Sequence, residues 1–211
     1  MIQEKDDVIA IDQRIARRVA RILAHTPLTP NMVTASSIAV GLSAALLLAR
    51  GDGWIHLGAA LFVVAVWMDH VDGELARQTD RTSTFGHYFD HAAAMTNYVA
   101  GFVGAGFGLR HGFLGEWGPI LGVTSGVAIA SIMSVRLHME IRDGRDSVRQ
   151  TVRGGFEIED TLYVLAPITW LHALPYFILA AGIGAPIFLL YVVWEASRSG
   201  RKERADNVRG S

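Results

Sequence analysis

Asp69-His-Val-Asp72-Gly73-Glu-Leu-Ala76-Arg77 and, eight residues later, Gly86-His-Tyr-Phe-Asp90-His-Ala-Ala-Ala94 lie inside two segments that are otherwise apolar enough to cross a membrane. Carboxylates within a membrane segment are energetically costly, so they usually face one another, a cavity or a bound ion. These two stretches therefore predict membrane helices and, between them, a polar site.

The composition is that of a membrane protein with one domain, residues 1–211. The chain is 51% hydrophobic and 18% charged, and its mean hydropathy is +0.30. A net charge of −1 indicates no particular partner, and nothing in the sequence points to nucleic acid. With no cysteine, disulfides are excluded. The first residues lack the basic and then apolar order of a cleaved signal peptide.

A membrane helix requires about 20 mostly apolar residues, and six segments are candidates for such a helix. An open sheet cannot cross lipid, and runs of this length do not suit barrel strands. We therefore predict an all-α integral membrane protein with a six-helix bundle over residues 32–196. The fifth segment is the weakest, because Pro167 can kink it. The predicted spans are Met32–Ala49, Trp54–Gln78, Ser83–Leu109, Pro119–Met139, Thr161–Ala173 extended at its start, and Pro175–Ala196.

The segment before the first span, residues 8–24, predicts an amphipathic helix on the membrane surface. Apolar residues recur there at close to helical spacing with basic residues between them, as in a helix that lies in the interface plane. A solvated charged helix is the alternative. The apolar residues are Ile9, Ile11, Ile15, Val19 and Ile22, and the basic ones are Arg14, Arg17, Arg18 and Arg21.

The distribution of basic residues predicts that both termini and the site face the cytoplasm. With six spans, all of the 19 Lys and Arg residues except Arg50 and Arg110 fall on the side of the termini. Short loops rich in Lys and Arg stay on the cytoplasmic side of a membrane. We expect the inner membrane of a bacterial or archaeal cell, with residues 198–211 as a cytoplasmic tail.

The acidic residues of the second and third spans are expected to converge between two neighbouring helices. A short turn joins the spans, and a rise of about 1.5 Å per residue places Asp72 and Asp90 at matching depth, with Asp69 about one turn deeper. Close carboxylates repel one another, and a divalent cation removes that conflict. Oxygen ligands favour magnesium, manganese or calcium over zinc. Polar contacts that only hold the bundle together are the alternative.

The residues around these carboxylates suit a phosphorylated ligand. Gly73 and Gly86 carry no side chain, so a ligand can approach the backbone closely. Arg77 lies on the cytosolic side, where a guanidinium group can contact a phosphate. His87 and His91 are expected to line the same cavity rather than to bind the metal.

The two stretches resemble the signature of the CDP-alcohol phosphotransferase family, D-x-x-D-G-x-x-A-R, eight residues, G-x-x-x-D-x-x-x-D. Seven of its eight fixed positions match, and the last is Ala94 in place of aspartate. Pro30-Asn31-Met-Val-Thr34, the six-span layout and the preceding surface helix are also similar to the family. The resemblance therefore extends over most of the chain.

The resemblance implies a membrane transferase of phospholipid biosynthesis that moves a substituted phosphate from a CDP-alcohol to an acceptor hydroxyl and releases CMP. CDP-diacylglycerol is the expected donor, although the motif equally allows CDP-inositol. The acceptor would be a small polar or phosphorylated alcohol, and many family members are dimers. The resemblance also implies Mg²⁺ or Mn²⁺, expected as two ions, on Asp69, Asp72 and Asp90. The implied nucleotide-site residues are Asn31, Thr34, Asp69, Gly73, Ala76, Arg77 and Gly86.

Ala94 stands where the family has an aspartate thought to accept the proton of the acceptor hydroxyl, and alanine can neither accept a proton nor bind metal. Three interpretations are open. The chain is an Asp→Ala variant that traps substrate, a member that uses another base such as His91 or Glu74, or a relative that only binds. We favour the first because every other motif position is intact. Asp90 and His91 are the remaining catalytic candidates.

A divalent-cation transporter or channel is the alternative from another functional class, because intramembrane aspartates also suit ion passage. Against it, the carboxylates gather near one face, and residues 57–66 and 100–108 offer no polar path. Arg77 would also repel the ion. The arginines of positions 136–153 could bind a phosphorylated acceptor or anionic lipid, and the acidic residues of positions 157–160 could contact a hydroxyl-rich acceptor or pair with those arginines. The sequence leaves these roles open.

Overall fold

A computed structural model describes residues 11–143 and 160–209. All regular elements within those ranges are helices, so the all-α prediction is confirmed there. They are α1 (Ile11–Leu23), α2 (Pro30–Arg50), α3 (Trp54–Gln78), α4 (Thr84–Gly108), α5 (Trp117–Asp143), α6 (Asp160–Tyr163), α7 (Leu165–Trp170) and α8 (Leu174–Arg209). The predictions for residues 8–10 and for most of the loop after the fourth span lie outside the described residues.

Four helices in the described ranges are long and apolar enough to cross a membrane, namely α2, α3, α5 and α8. The 25-residue helix α4 matches the third predicted span in position, but its first half carries the polar motif residues. The fifth predicted span contains two short helices, α6 and α7, that separate at Val164. Pro167 accounts for the break, because it has no N–H to donate to the Tyr163 carbonyl and its ring crowds that oxygen. The six-span count stays a prediction.

Helix α2 is the main neighbour of both α3 and α4, which contact each other much less. Helix α5 packs between α4 and α8, and α1 packs on α3. The sequence predicted a site between two adjacent helices. The structure corrects this prediction, because the first turns of α2 form the site together with the end of α3 and the start of α4. The location of α1 on a membrane surface stays a prediction.

Small residues bring the backbones of α2 and α4 close together. A Cβ atom on Gly104 would lie 2.9 Å from Ala45 Cα, and one on Gly108 would collide with the Leu48 carbonyl. At the end of this pair, Arg110 donates hydrogen bonds from Nη1 to the carbonyls of Ala49 at 3.0 Å and Phe107 at 2.7 Å. A basic side chain at helix C-termini satisfies carbonyls that have no partner within their own helix.

Gly104→Ala is expected to lower the free energy of unfolding by about 1–3 kcal/mol, because α2 and α4 must move apart to admit a methyl group. The measurement is thermal unfolding of the purified protein in detergent. Gly53→Ala is the matched control, since no atom lies within 4 Å of its Cβ position. Equal melting temperatures for the two variants would show that the close approach of α2 and α4 contributes nothing to stability.

Candidate functional site

The start of α2, the end of α3 and the start of α4 line a cavity of about 600 Å³, here called the motif cavity. Eight of the residues predicted to bind metal or nucleotide line it, and so does His87. Its position at one end of the bundle agrees with a site near one membrane face. The lining residues are Pro30, Asn31, Thr34, Asp72, Gly73, Ala76, Arg77, Arg81, Thr82, Ser83, Thr84, Gly86, His87 and Asp90.

Two helix N-termini meet at the motif cavity. Helix α2 begins at Pro30, and the N-cap Thr29 accepts a hydrogen bond from the Met32 N–H at 3.3 Å. Helix α4 begins at Thr84, and Ser83 Oγ accepts from the Gly86 N–H at 2.9 Å. Helix N-termini carry a positive partial charge and favour anions such as phosphate. The side of the cavity formed by α2 and α4 therefore favours a phosphorylated ligand.

Asp72 and Asp90 place carboxylates in the same cavity. Asp72 is 2% exposed, and its Oδ2 accepts a hydrogen bond from Thr34 Oγ1 at 2.5 Å. Its Oδ1, like Asp90 Oδ1, is buried and has no hydrogen-bond partner among the described residues. Buried anionic oxygens without a partner are strongly unfavourable, and a bound cation would satisfy them. The pair fits a divalent metal ion by charge and by ligand type.

The structure brings together two of the three predicted metal ligands. Asp69 is half-buried and does not line the motif cavity. Within residues 11–143 and 160–209, no group of three or more His, Asp or Glu side chains is arranged to hold a metal ion. The observation that fits a metal is therefore the pair of oxygens on Asp72 and Asp90.

The two motif glycines have different surroundings. A Cβ atom on Gly86 would lie 3.0 Å from Ser83 Oγ and 3.5 Å from Asn31 Oδ1, so this glycine lets α4 approach α2. A Cβ on Gly73 would meet only the Arg77 guanidinium, at 3.6 Å from Nη1. Gly73 thus leaves space in the lining of the cavity beside an arginine, and its contact with a ligand stays a prediction.

Ala94 does not line the motif cavity. It is 7% exposed and belongs to an apolar cluster that includes Phe62, Val66 and Tyr98. Glu74, one of the two alternative bases, also lies outside the motif cavity and lines a small cavity against α1. Its carboxylate accepts hydrogen bonds from Arg77 and Gln78.

A second cavity, the apolar groove, has a volume of about 560 Å³ and is lined by α4, α5 and α8 and by Leu162 of α6. His91, Arg136 and Glu140 are its charged or ionisable lining residues, and the others are mostly apolar. His91 and His87, which we expected to line one cavity, line two, His91 the groove and His87 the motif cavity. His87 Nε2 lies 3.7 Å from Glu140 Oε1, so a residue that lines the motif cavity contacts one that lines the groove.

Sequence reasoning missed the groove and the contribution of Arg81 to the motif cavity. The position of Arg81, four residues after Arg77 in the short turn before α4, was an available signal. The groove had none, because most of its residues are ordinary apolar positions of helices that are separate in the sequence.

A family model described as CDP-alcohol phosphatidyltransferase matches residues 27–194. Crystal structures of the Mycobacterium tuberculosis phosphatidylinositol phosphate synthase PgsA1 have a similar fold. The structure with CDP-DAG bound is 22% identical, with 86% of this chain and 94% of that chain covered and a TM-score of 0.63. The complex with manganese and citrate is 21% identical, with coverage of 85% and 88% and a TM-score of 0.63. No curated protein sequence matches this chain significantly.

Proposed function

The chain belongs to the CDP-alcohol phosphatidyltransferase family, and from this we propose that it transfers a substituted phosphate from CDP-diacylglycerol to a small polar or phosphorylated alcohol, with release of CMP. The family and the four apolar helices make it an integral membrane phosphotransferase of phospholipid biosynthesis. The observation that carries the proposal is the motif cavity, where two buried carboxylate oxygens that have no partner among the described residues share the lining with two helix N-termini and two arginines.

Each side of the motif cavity suits one part of a metal–diphosphate complex. Asp72 and Asp90 would hold Mg²⁺ or Mn²⁺, with Asp69 proposed as a further ligand on the motif alone. Such an ion supplies charge neutralisation at a diphosphate. Thr34 fixes the orientation of the Asp72 carboxylate. The first turns of α2 and α4, with Asn31 among them, would contact phosphate and nucleotide groups.

The apolar groove supports a donor that carries a lipid. Asp90 lines the motif cavity and the next residue, His91, lines the groove. A molecule with a nucleotide head and acyl chains would thus have a polar and an apolar compartment side by side on α4. The mycobacterial synthase binds CDP-DAG. Binding of the same donor by this chain is part of the proposal.

We further propose that Ala94 limits turnover, since no carboxylate stands at that position to accept the acceptor proton. Of the two alternative bases, His91 is the better placed, because its buried Nε2 has no partner among the described residues. The Glu74 carboxylate already accepts hydrogen bonds from Arg77 and Gln78.

The proposal includes a homodimer, cytoplasmic termini and a bacterial or archaeal inner membrane, which rest on the family and on the positive-inside rule.

Binding of CDP separates a transferase from a cation transporter. We expect CDP with Mn²⁺ or Mg²⁺ to raise the melting temperature by several degrees, because a ligand at 100 times its Kd stabilises a protein by about 2.7 kcal/mol. CDP without metal should have little effect. A transporter should respond to the metal and ignore CDP, and that result would overturn the proposal.

Beyond the cavity the helices pack on buried Ala44, Leu48 and Phe62, which do not suit an ion path.

A further inference from the structure

Glu74 and Arg77 form a side-chain contact that has no role in the proposed reaction as described above. Glu74 Oε2 accepts hydrogen bonds from Arg77 Nε at 3.1 Å and from Nη2 at 2.8 Å. These nitrogens form one edge of the guanidinium group, so the two bonds to one carboxylate oxygen hold that edge against Glu74. The Glu74 side chain is 13% exposed and that of Arg77 is 65% exposed. The carboxylate is therefore the anchored partner, and the arginine is the side chain that needs an anchor.

The guanidinium group of Arg77 lies beside Gly73, which also lines the motif cavity. The Cβ position of Gly73 lies 3.6 Å from Arg77 Nη1, and Gly73 and Arg77 both line the motif cavity. Glu74 and Arg77 both line the small cavity, of about 110 Å³, that faces α1. Arg77 thus lines both cavities, and its Nη1 is the guanidinium atom nearest to Gly73.

Helix α1 supports Glu74 from behind. Arg17 Nε lies 3.4 Å from Glu74 Oε1. Gln78 Nε2 donates hydrogen bonds to the same oxygen at 3.1 Å and to the Arg17 carbonyl at 3.2 Å. The helix itself is anchored on α3, because Ala16 and Ala20 are buried in a cluster with residues of α3. The chain of contacts therefore runs from α1 through Glu74 to Arg77.

We propose that Glu74, supported by Arg17, is a positioning residue that orients the Arg77 guanidinium group toward a substrate phosphate. This inference rests on the proposed function, in which Arg77 contacts the diphosphate of the donor. Glu74 touches no substrate atom and acts only through Arg77. The chain therefore uses α1 to preorganise the nucleotide site, which lowers the ordering cost of binding.

A double-mutant cycle on CDP affinity tests this inference in the full chain with Mn²⁺. Glu74→Ala and Arg77→Ala are each expected to weaken CDP binding about tenfold, as for other residues that orient a ligand contact. The Glu74→Ala, Arg77→Ala double variant should bind no more weakly than Arg77→Ala alone. Arg17→Ala should weaken binding by a smaller factor, of about two to five. Arg18→Ala is the matched control, because it removes an exposed charge from the next position of α1.

The cycle gives separate outcomes for the inference and for the proposed function. If Glu74→Ala leaves CDP affinity unchanged, or weakens it equally with and without Arg77, the positioning role is wrong and the proposed function stands. If Arg18→Ala and Arg17→Ala weaken CDP binding equally, α1 acts only through its positive charge and not through the contact with Glu74. That result would overturn this part of the inference. If the unmodified chain binds no CDP with Mn²⁺, both the proposed function and the inference fail. Melting temperatures of each variant confirm that the fold is retained.

Discussion

Ala94→Asp is expected to raise the rate of CMP release from CDP-diacylglycerol at least about 100-fold, when a suitable acceptor alcohol and Mn²⁺ are present. A positioned general base typically contributes a factor of about 10² to 10⁴ to a rate. Position 94 lies outside the lining of the motif cavity but only one helical turn after Asp90, which lines it. A carboxylate there is the one fixed group of the family signature that this chain lacks. The assay follows CMP with a panel of acceptors, and mass spectrometry identifies the lipid product.

Ala94→Asn is the matched control, because asparagine has nearly the shape of aspartate and cannot act as a base. Ala94 lies in an apolar cluster, so both variants bury a polar group there and should lose stability. Rates are therefore compared per folded protein. A large rate increase for aspartate alone supports the interpretation of the chain as an Asp→Ala variant. If CMP release stays flat while the aspartate variant is folded and binds Mn²⁺, that interpretation is wrong.

The local part of the site could be predicted from the sequence because helical periodicity determines it. Residues i, i+3 and i+4 share one face of a helix, so Asp72 with Ala76, and Gly86 with Asp90, could be placed on common faces. All four line the motif cavity. The same reasoning placed Asp69 on that face, but the structure leaves it out of the lining. Periodicity gives the face of a helix and does not show how deeply a neighbouring helix covers it.

The non-local part could not be predicted. The hydrogen bond from Thr34 to Asp72 joins residues 38 positions apart, and it depends on α2 packing against both α3 and α4. Hydropathy identifies α2 as a span, but it does not choose its neighbours. The small residues that allow this packing, such as Gly104 against Ala45, are common in membrane helices generally. For the same reason the apolar groove between α4, α5 and α8 could not be predicted from the sequence.

Asp72→Asn is expected to weaken Mn²⁺-dependent CDP binding at least about 100-fold, because it removes the charge of a carboxylate proposed to hold the metal and leaves an amide, a weaker ligand for hard cations. The measurement is CDP affinity across a Mn²⁺ titration. Asp80→Asn is the matched control. Asp80 is exposed in the turn between α3 and α4 and does not line the cavity, and its φ of 51° suits asparagine.

Stability without metal separates a functional carboxylate from a structural one. Asp72 is buried, and its Oδ1 has no partner among the described residues; such an unsatisfied buried group costs about 1–3 kcal/mol or more when charged. Asparagine keeps an oxygen that can accept the Thr34 hydroxyl. Asp72→Asn should therefore melt at the same or a higher temperature than the unmodified chain in EDTA, and at a lower temperature in Mn²⁺. A variant that melts lower in both conditions, with Mn²⁺ stabilisation unchanged, would make Asp72 a structural residue, since its charge would then stabilise the helices without binding the ion.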